Sequence, residues 1–329
     1  MRTRFIGTDP ATRREVSALS LGAMLMGSRT DERTSFEVLD RYVEAGGTFI
    51  DTSNNYAYWE DGGQGGASEQ LLGRWLKSRG VGSEVVVATK LGARPLAPGT
   101  GYVDNPEGLS PKTIREAVDR SRENLGVEKL DVLYAHIEDP GTPLQDTVEG
   151  FGAVVAEGSV GLLGVSNHWT WKIERARNIA RAAGLPAFEL LQYHHSYLRP
   201  RTDLPTPLSV DGGQGAASGD LLSYVRESGD GLTLVAYSPL LGGAYVNDAK
   251  PLGADFDHPG TVTRLAALRE VAAELGAPLN QVVLAWQLGH DLPIIPLVGA
   301  SSVAQLDDSL AALELELSAE QRAKLDAAG

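Results

Sequence analysis

The sequence predicts a (β/α)8 barrel of the α/β class, and three observations carry that expectation. Eight short apolar runs recur along the 329 residues, each followed by a stretch of helical periodicity. The runs are continuous rather than alternating, as parallel strands covered on both faces require. An open, doubly wound sheet would need a dinucleotide fingerprint after its first strand, and the loop GAMLMGSRTDE lacks G-x-G-x-x-G. The nearest glycine cluster, GGQGGAS (62–68), follows a long polar loop instead of leaving a strand.

Taken in order, the chain begins with RTRFIGTDPATRREVSA, read as a hairpin turning at Thr8-Asp9-Pro10 and plugging the bottom of the barrel. The barrel strands are then expected at 19–24, 48–52, 85–89, 131–135, 161–165, 188–192, 232–238 and 293–298. Helix starts are marked by caps: Ser110 precedes Pro111 at the first helical position, and Ser318 precedes AEQRAKL. The similar stretches 61–72 and 211–222, DGGQGGASEQLL and DGGQGAASGDLL, read as a flexible loop ending in a serine cap, used twice. The segments 193–215 and 239–260 show no secondary structure and are expected to form lids on the catalytic face. The run KIERARNIARAA (172–183) is the solvated face of a helix. One domain spanning 1–329 is expected, since no composition break divides it.

Composition removes several function classes. A net charge of −14 repels phosphodiester backbones and anionic membranes, so nucleic-acid and membrane partners are not expected. There is no cysteine, hence no disulfide, thiolate metal site or cysteine nucleophile. No carboxylate or third histidine stands at ligand spacing beside His194 and His195, so no metal is expected. The stretch 19–27 is too short and begins too late for a signal peptide, and the cytoplasm is the expected compartment.

In this fold, residues at the C-terminal strand ends share one mouth. Strand two ends in Asp51, with Tyr56 just beyond; strand three ends at Lys90 and strand four at His136. A tyrosine titrates near ~10 and is a poor acid at neutral pH. A lysine about 4 Å away, at an effective dielectric of ~20, contributes roughly 4 kcal/mol, or about three pKa units. Lys90 is thus expected to poise Tyr56 near neutrality, with Asp51 as counter-charge and His136 orienting a carbonyl. The hydride that such a reduction needs comes from no side chain, so a nicotinamide is implied. Singly, each residue has an ordinary role as cap, strand end, core histidine or loop aromatic; four on three successive strand ends are hard to dismiss as packing.

The stretches GTFIDTSNNYA, GASEQLLGRWL, VVVATKLG, RENLGVEKLDVLYAHIEDP, GLLGVSNHW, AYSPLLGG and GASSVAQLDDSL resemble the aldo-keto reductase superfamily from the first strand to the last helix. The resemblance implies reversible hydride transfer from NADPH, less often NADH, to an aldehyde or ketone, with a tetrad at Asp51, Tyr56, Lys90 and His136. It implies that Ser166, Asn167 and Gln192 hold the nicotinamide carboxamide, that Tyr237 stacks beneath the ring, and that Ser238, Leu240 and Gly242 lie beside the pyrophosphate. Gly299, Ala300, Ser301, Ser302, Gln305 and Asp308 fall around the adenosine end, and Gly22, Ala23 and Met24 join the cofactor set.

The chain departs from the family pattern in two places. Many relatives carry arginine at the position of Ser301 to grip an adenosine 2′-phosphate, whereas GASSVAQLDDS has no basic residue. NADP is the family default and NAD a rival. After strand six, His195-Ser196 stand where relatives often have Tyr-Asn. With His136, the residues Tyr58, Trp59, Trp169 and His195 are expected to wall the substrate pocket, and aromatic walls with polar tips suit a sugar-like carbonyl or alcohol. The enzyme is expected as a monomer or homo-oligomer. A cofactor-binding regulatory subunit with the same fold, as among ion-channel β-subunits, is the competing reading. A short-chain dehydrogenase would need Tyr-x-x-x-Lys, which does not occur.

Overall fold

The computed structural model of the protein describes residues 1–60 and 63–329. Strands β1 (Thr3–Ile6) and β2 (Arg14–Ser17) form the antiparallel hairpin, with Ile6 opposite Arg14. The eight parallel strands are β3 (Ser20–Gly22), β4 (Phe49–Asp51), β5 (Val86–Leu91), β6 (Leu130–Ala135), β7 (Val160–Ser166), β8 (Leu190–His194), β9 (Thr233–Tyr237) and β10 (Ile294–Gly299). They close in chain order, with β10 beside β3. Every expected apolar run coincides with one of them, although the first shortens to three residues and the sixth slides two residues onward.

The helices around the barrel are α1 (Glu32–Glu44), α2 (Ala67–Arg79), α3 (Pro111–Leu125), α4 (Leu144–Ala156), α5 (Thr170–Ala183) and α6 (Gly219–Glu227). They continue with α7 (Pro259–Leu275), α8 (Leu279–Leu288), α9 (Val303–Ala311) and α10 (Ala319–Ala327). Ser110 caps α3 with Pro111 at its first position, and Ser318 forms a reciprocal capping box with Gln321. Only one of the two glycine-rich loops ends as expected. Ser218 caps α6, but α2 is entered through Gly66 in the left-handed region, φ +94°, and Ser68 lies inside the first turn. Its hydroxyl is drawn inward instead, donating to the Ala23 carbonyl at 2.7 Å. Asp61 and Gly62 of that loop lie outside the described residues. The long segment after β9 holds two short 3-10 turns, Leu241–Gly243 and Ala254–Phe256, and the one after β8 an isolated bridge between Thr206 and Ser209.

Alternation along the strands builds two apolar layers. Phe49, Val86, Ala88, Val132, Tyr134, Leu162, Leu190, Val235 and Ile295 face the barrel axis, and Ile6 and Val16 of the hairpin join the same cluster. The hairpin therefore closes the N-terminal end, as expected. The opposite parity, with Ile50, Val87, Leu133, Leu163, Leu191 and Leu234, packs under the helices. Stepping two residues along from the axial positions reaches Asp51, Lys90, His136, Ser166, Gln192 and Tyr237. The period of two thus delivers every one of these side chains into the C-terminal mouth. Among the described residues, no helix is long and apolar enough to cross a membrane.

Candidate active site

Parallel pairing sets the depth of each group: Asp51 lies beside Ala88, Lys90 beside Tyr134, and Ser166 beside Gln192. At the centre is the Lys90 ammonium, fully buried. It donates to Asp51 Oδ1, to the Thr52 carbonyl at 2.7 Å and to the Tyr56 hydroxyl at 3.1 Å. Three acceptors match the three protons of an ammonium. Asp51, also buried, accepts on its second oxygen from Gln192 Nε2 at 2.7 Å. The ion pair is therefore fully partnered, the condition under which a buried charge is tolerable.

Burial alone would lower the Lys90 pKa, but the Asp51 carboxylate and the Tyr56 oxygen outweigh it and hold the group charged. Burial pushes Asp51 up, against the pull of Lys90 and Gln192. For Tyr56 the expectation from sequence has to be corrected. Burial raises its pKa above 10 and the Asp51 charge adds to the rise, so the downward pull of Lys90 does not bring it to neutrality. The phenol is protonated at rest. His136 is pushed well below 6.5, by burial first and by Lys90 second, so its imidazole is neutral.

The loop after β4 holds Tyr56 through its neighbours. Asn54 donates its backbone N–H to the Lys90 carbonyl at 3.1 Å and its side chain to Glu107 at 2.6 Å. Glu107 also takes Gly92 N at 2.9 Å and Arg120 at 2.8 Å, tying this loop to the one after β5. His136 meets the Tyr56 ring edge-on, with centroids 6.2 Å apart. Trp59 stands 6.5 Å from Tyr56, Tyr58 packs on Trp59 at 5.3 Å, and Tyr102 packs on Tyr58 at 6.1 Å. Trp169 opens α5, its N–H held by Glu138 at 2.8 Å. Nothing in the sequence placed Tyr102 or Ser53 here, because both sit in loops whose paths periodicity does not describe.

His195 does not join this group. It is only 8% exposed and lies against Trp286 of α8, with ring centroids 5.7 Å apart. The residue after an axial strand position points outward, and β8 ends one residue before it.

On the far side of the mouth, Asn167 (φ +60°) donates to the His136 carbonyl at 3.0 Å and accepts from the Tyr237 hydroxyl at 2.9 Å. Ser166 donates to the Gln192 carbonyl at 2.8 Å. Beyond β9, Ser238, Leu241 and Gly242 all have positive φ, which turns the chain sharply beside Leu240. A Cβ added at Gly242 or at Gly299 would meet nothing within 4 Å, so both glycines border open space. Ser302 caps α9, while Ser301 gives both its N–H and its hydroxyl to Gln305 at 2.9 Å. Asp308 accepts from Gln281 at 2.8 Å. Gly22 pairs with Gly299 across the closing seam, Ala23 is buried, and Met24 is 47% exposed.

The sequence profile of the Aldo/keto reductase family matches residues 18–329. Norsolorinic acid reductase B of Dothistroma septosporum is 28% identical over 97% of this chain and 80% of its own length. Aryl-alcohol dehydrogenase [NADP(+)] of Phanerodontia chrysosporium is 29% identical, covering 93% of this chain and 80% of its own. An uncharacterized oxidoreductase, YrpG, of Bacillus subtilis is 29% identical, covering 93% and 90%. With an eight-stranded barrel and a match over nearly its whole length, the chain belongs to the aldo/keto reductase family and is an NAD(P)-dependent oxidoreductase.

Proposed function

We propose that this one-domain enzyme reduces an aromatic aldehyde or ketone with NADPH, Tyr56 donating the proton. The observation that carries the reading is the buried Asp51–Lys90–Tyr56 chain of contacts at the edge of an aromatic wall. A general acid must hold its proton at rest, and burial keeps the Tyr56 hydroxyl protonated. Once it has given that proton to the carbonyl oxygen, the phenolate left behind faces the Lys90 ammonium at 3.1 Å. Lys90 therefore acts where charge develops, and Asp51 keeps it charged.

The nicotinamide, when bound, supplies the hydride. The residues at the mouth fit such a group: Ser166, Asn167 and Gln192 offer amide and hydroxyl partners for the carboxamide, and Tyr237 an aromatic face. Ser238, Leu240 and Gly242 flank the open space at Gly242, and at the start of α9 the first-turn N–H groups of Val303 and Ala304, which the Ser302 cap does not take, are suited to phosphate. NADPH as the partner is supported by the printed name of the Phanerodontia relative.

Tyr58, Trp59 and Tyr102 form an aromatic wall of mutually inclined rings, which favours an aromatic ring packed against it, and two of the relatives carry names of aromatic substrates. Among the described residues Trp59 Nε1 is buried without a partner, a feature that favours a polar, sugar-like carbonyl instead. Two measurements test the reading. Tyr56→Phe should lower kcat by at least ~10²-fold with NADPH binding, followed by fluorescence, nearly unchanged. Aryl aldehydes should be reduced with higher kcat/KM than aldoses; the reverse order would select the sugar-like substrate.

A further inference from the structure

The loop that carries Tyr56 and the loop that follows β5 are fastened together at three places, from solvent inward. Gln64 donates to the Leu96 carbonyl at 2.9 Å and accepts from Arg94 at 3.4 Å. Tyr102 packs on Tyr58, with ring centroids 6.1 Å apart. Deepest of the three, Asn54 Nδ2 donates to Glu107 Oε1 at 2.6 Å, two residues before the tyrosine. The second loop is closed at its neck, where Glu107 N–H meets the Arg94 carbonyl at 2.9 Å and Gly108 N–H the Gly92 carbonyl at 3.3 Å. Just beyond, Leu109 N–H is held by Asp139 at 2.8 Å. Glu107 thus stands on a pinned backbone, its side chain only 3% exposed.

Three N–H donors converge on that carboxylate: Asn54 Nδ2 and Gly92 N on Oε1, and Arg120 Nη2 on Oε2. A carboxylate accepts at both ends, whereas an amide in its place would turn its own NH2 toward one set of donors, whichever way it lay. Among the described residues Asn54 Oδ1 has no partner, so the bond to Glu107 is the one hydrogen bond of the Asn54 side chain. The Asn54 backbone N–H meanwhile donates to the Lys90 carbonyl at 3.1 Å, and Tyr56 N–H to the Ser53 carbonyl at 3.2 Å.

We propose that Glu107 is a positioning residue for the proton donor, acting through Asn54 to tie the Tyr56 loop to the neck of the loop whose body supplies Tyr102. The inference rests on the proposed role of Tyr56 as the acid. One loop then does two things: it walls the mouth, and it sets where the phenol stands. Proton transfer needs the phenol within hydrogen-bond reach of the carbonyl oxygen, and a misplacement of about 1 Å can cost ~10²-fold in rate.

Two readouts test the tether. The first is hydrogen exchange of the segment 52–60, which needs no turnover. The second is the single-turnover rate of NADPH oxidation by benzaldehyde, divided by the number of NADPH-binding sites counted by fluorescence, so that unfolded protein does not enter. Asn54→Ala removes one contact and leaves Glu107 with Gly92 and Arg120. It should speed exchange of the segment and slow the rate roughly tenfold to a hundredfold, with NADPH affinity unchanged. Glu107→Gln should do the same, because no orientation of its amide suits all three donors. Glu107→Gln/Arg120→Met should recover both readouts, since the amide oxygen can then face Asn54 and Gly92 while its NH2 meets no opposing donor. In a Tyr56→Phe background Asn54→Ala should slow the rate no further, there being no acid left to place.

Exchange and rate both unchanged in Asn54→Ala would overturn the proposal. A double variant as slow as Glu107→Gln would overturn it too, because the charge of Glu107 rather than its hold on Asn54 would then govern the rate. If Glu107→Gln does not bind NADPH, Asn54→Ala decides alone. Retained turnover in Tyr56→Phe would instead sink the proposed acid, and the exchange measurement would still report whether Glu107 holds the loop.

Discussion

The two sides of the barrel mouth are built on different electrostatic terms. On the β4–β6 side, Lys90, Asp51, Tyr56, Asn54 and Glu107 form a buried network in which each charge meets an opposite charge or an N–H. On the β8–β10 side, the residues that border open space are glycines, serines and backbone turns. Behind it, against α8, the buried His195 has no partner for its Nε2 among the described residues. The first side can hold a reacting group in one position because its charges have nowhere else to go. The second can be re-chosen by small substitutions, because the grip proposed for it rests on N–H groups and hydroxyls that many ligands satisfy.

The largest test of this contrast removes Lys90. Lys90→Met strands the Asp51 carboxylate in a buried site, and breaking a buried pair in this way typically costs about 3–5 kcal/mol of stability. Activity should fall at least ~10²-fold as well, because the phenolate loses its cation. The double variant Lys90→Met/Asp51→Leu should regain most of the stability in a denaturant titration and none of the activity. Its kinetic defect should not add to that of Tyr56→Phe, since the residues act as one unit. Stability unchanged in Lys90→Met would mean that Asp51 is not held as a carboxylate by this lysine.

His195 probes the other side. Burial first, then the positive charge of His290, His194, Arg199 and Arg264, lowers its pKa from 6.5 to about 3. The unfolded chain therefore binds a proton that the folded chain refuses over that range, and stability falls as pH drops from 6.5 toward 3. The slope is about 1.4 kcal/mol per pH unit, so near pH 4.5 the loss from this one group approaches ~3 kcal/mol. His195→Leu should remove that share, flattening the pH dependence of the denaturation midpoint between pH 6.5 and 4.5. An identical pH profile in the variant would show that His195 is hydrated or paired.

These two sites also mark what the sequence made legible. The strands were readable because both of their faces are covered, and the period of two then carried Asp51, Lys90 and His136 to one mouth. Tyr56 shows where such reading stops. Its partner could be named from the sequence, but the direction of its pKa depends on weighing burial against two opposite charges, and burial needs coordinates. Glu107 was invisible for a related reason: a glutamate in a loop has an unremarkable pattern, and its meaning lies in a 2.6 Å contact with a residue 53 positions away. His195 was misplaced because β8 runs on to His194, two residues past the expected end, so the strand's alternation still governs His195 and turns it outward, away from the mouth. Ser68 failed as a cap because its hydroxyl had stronger partners inside the barrel.

Cofactor choice sharpens the contrast further. The segment from Gly299 to Leu310 holds no lysine or arginine, and the exposed Ser301 spends its N–H and hydroxyl on Gln305. Ser301→Arg should raise the preference for NADPH over NADH by roughly 1–3 kcal/mol, the value of a charge-assisted contact. The native enzyme should then discriminate weakly. The check is kcat/KM with both cofactors for both proteins at one salt concentration. A native preference of several thousandfold, unmoved by the substitution, would mean that a phosphate clamp comes from another loop.

The smallest effect is expected at Arg41. It pairs with Asp307 of α9 at 2.7 Å, both side chains being partly exposed, so the pair itself adds at most ~1 kcal/mol to stability. Its greater consequence is electrostatic. With Arg41 in place, one of the two adjacent aspartates on α9 is neutralised; without it, a carboxylate is released in the second turn of the helix whose N-terminus is proposed to face the adenosine end. A 2′-phosphate would feel that charge and a 2′-hydroxyl would not. Arg41→Ala should therefore weaken NADPH binding about twofold to fivefold at low ionic strength while leaving NADH unchanged, and the difference should shrink at high salt as the Debye length falls to about 3 Å. Equal weakening of both cofactors would show that the pair shapes the fold of α9 rather than the field at its start. A loss for NADPH that persists at high salt would mean that Arg41 touches the phosphate itself, and the β10 side would then hold a cation after all.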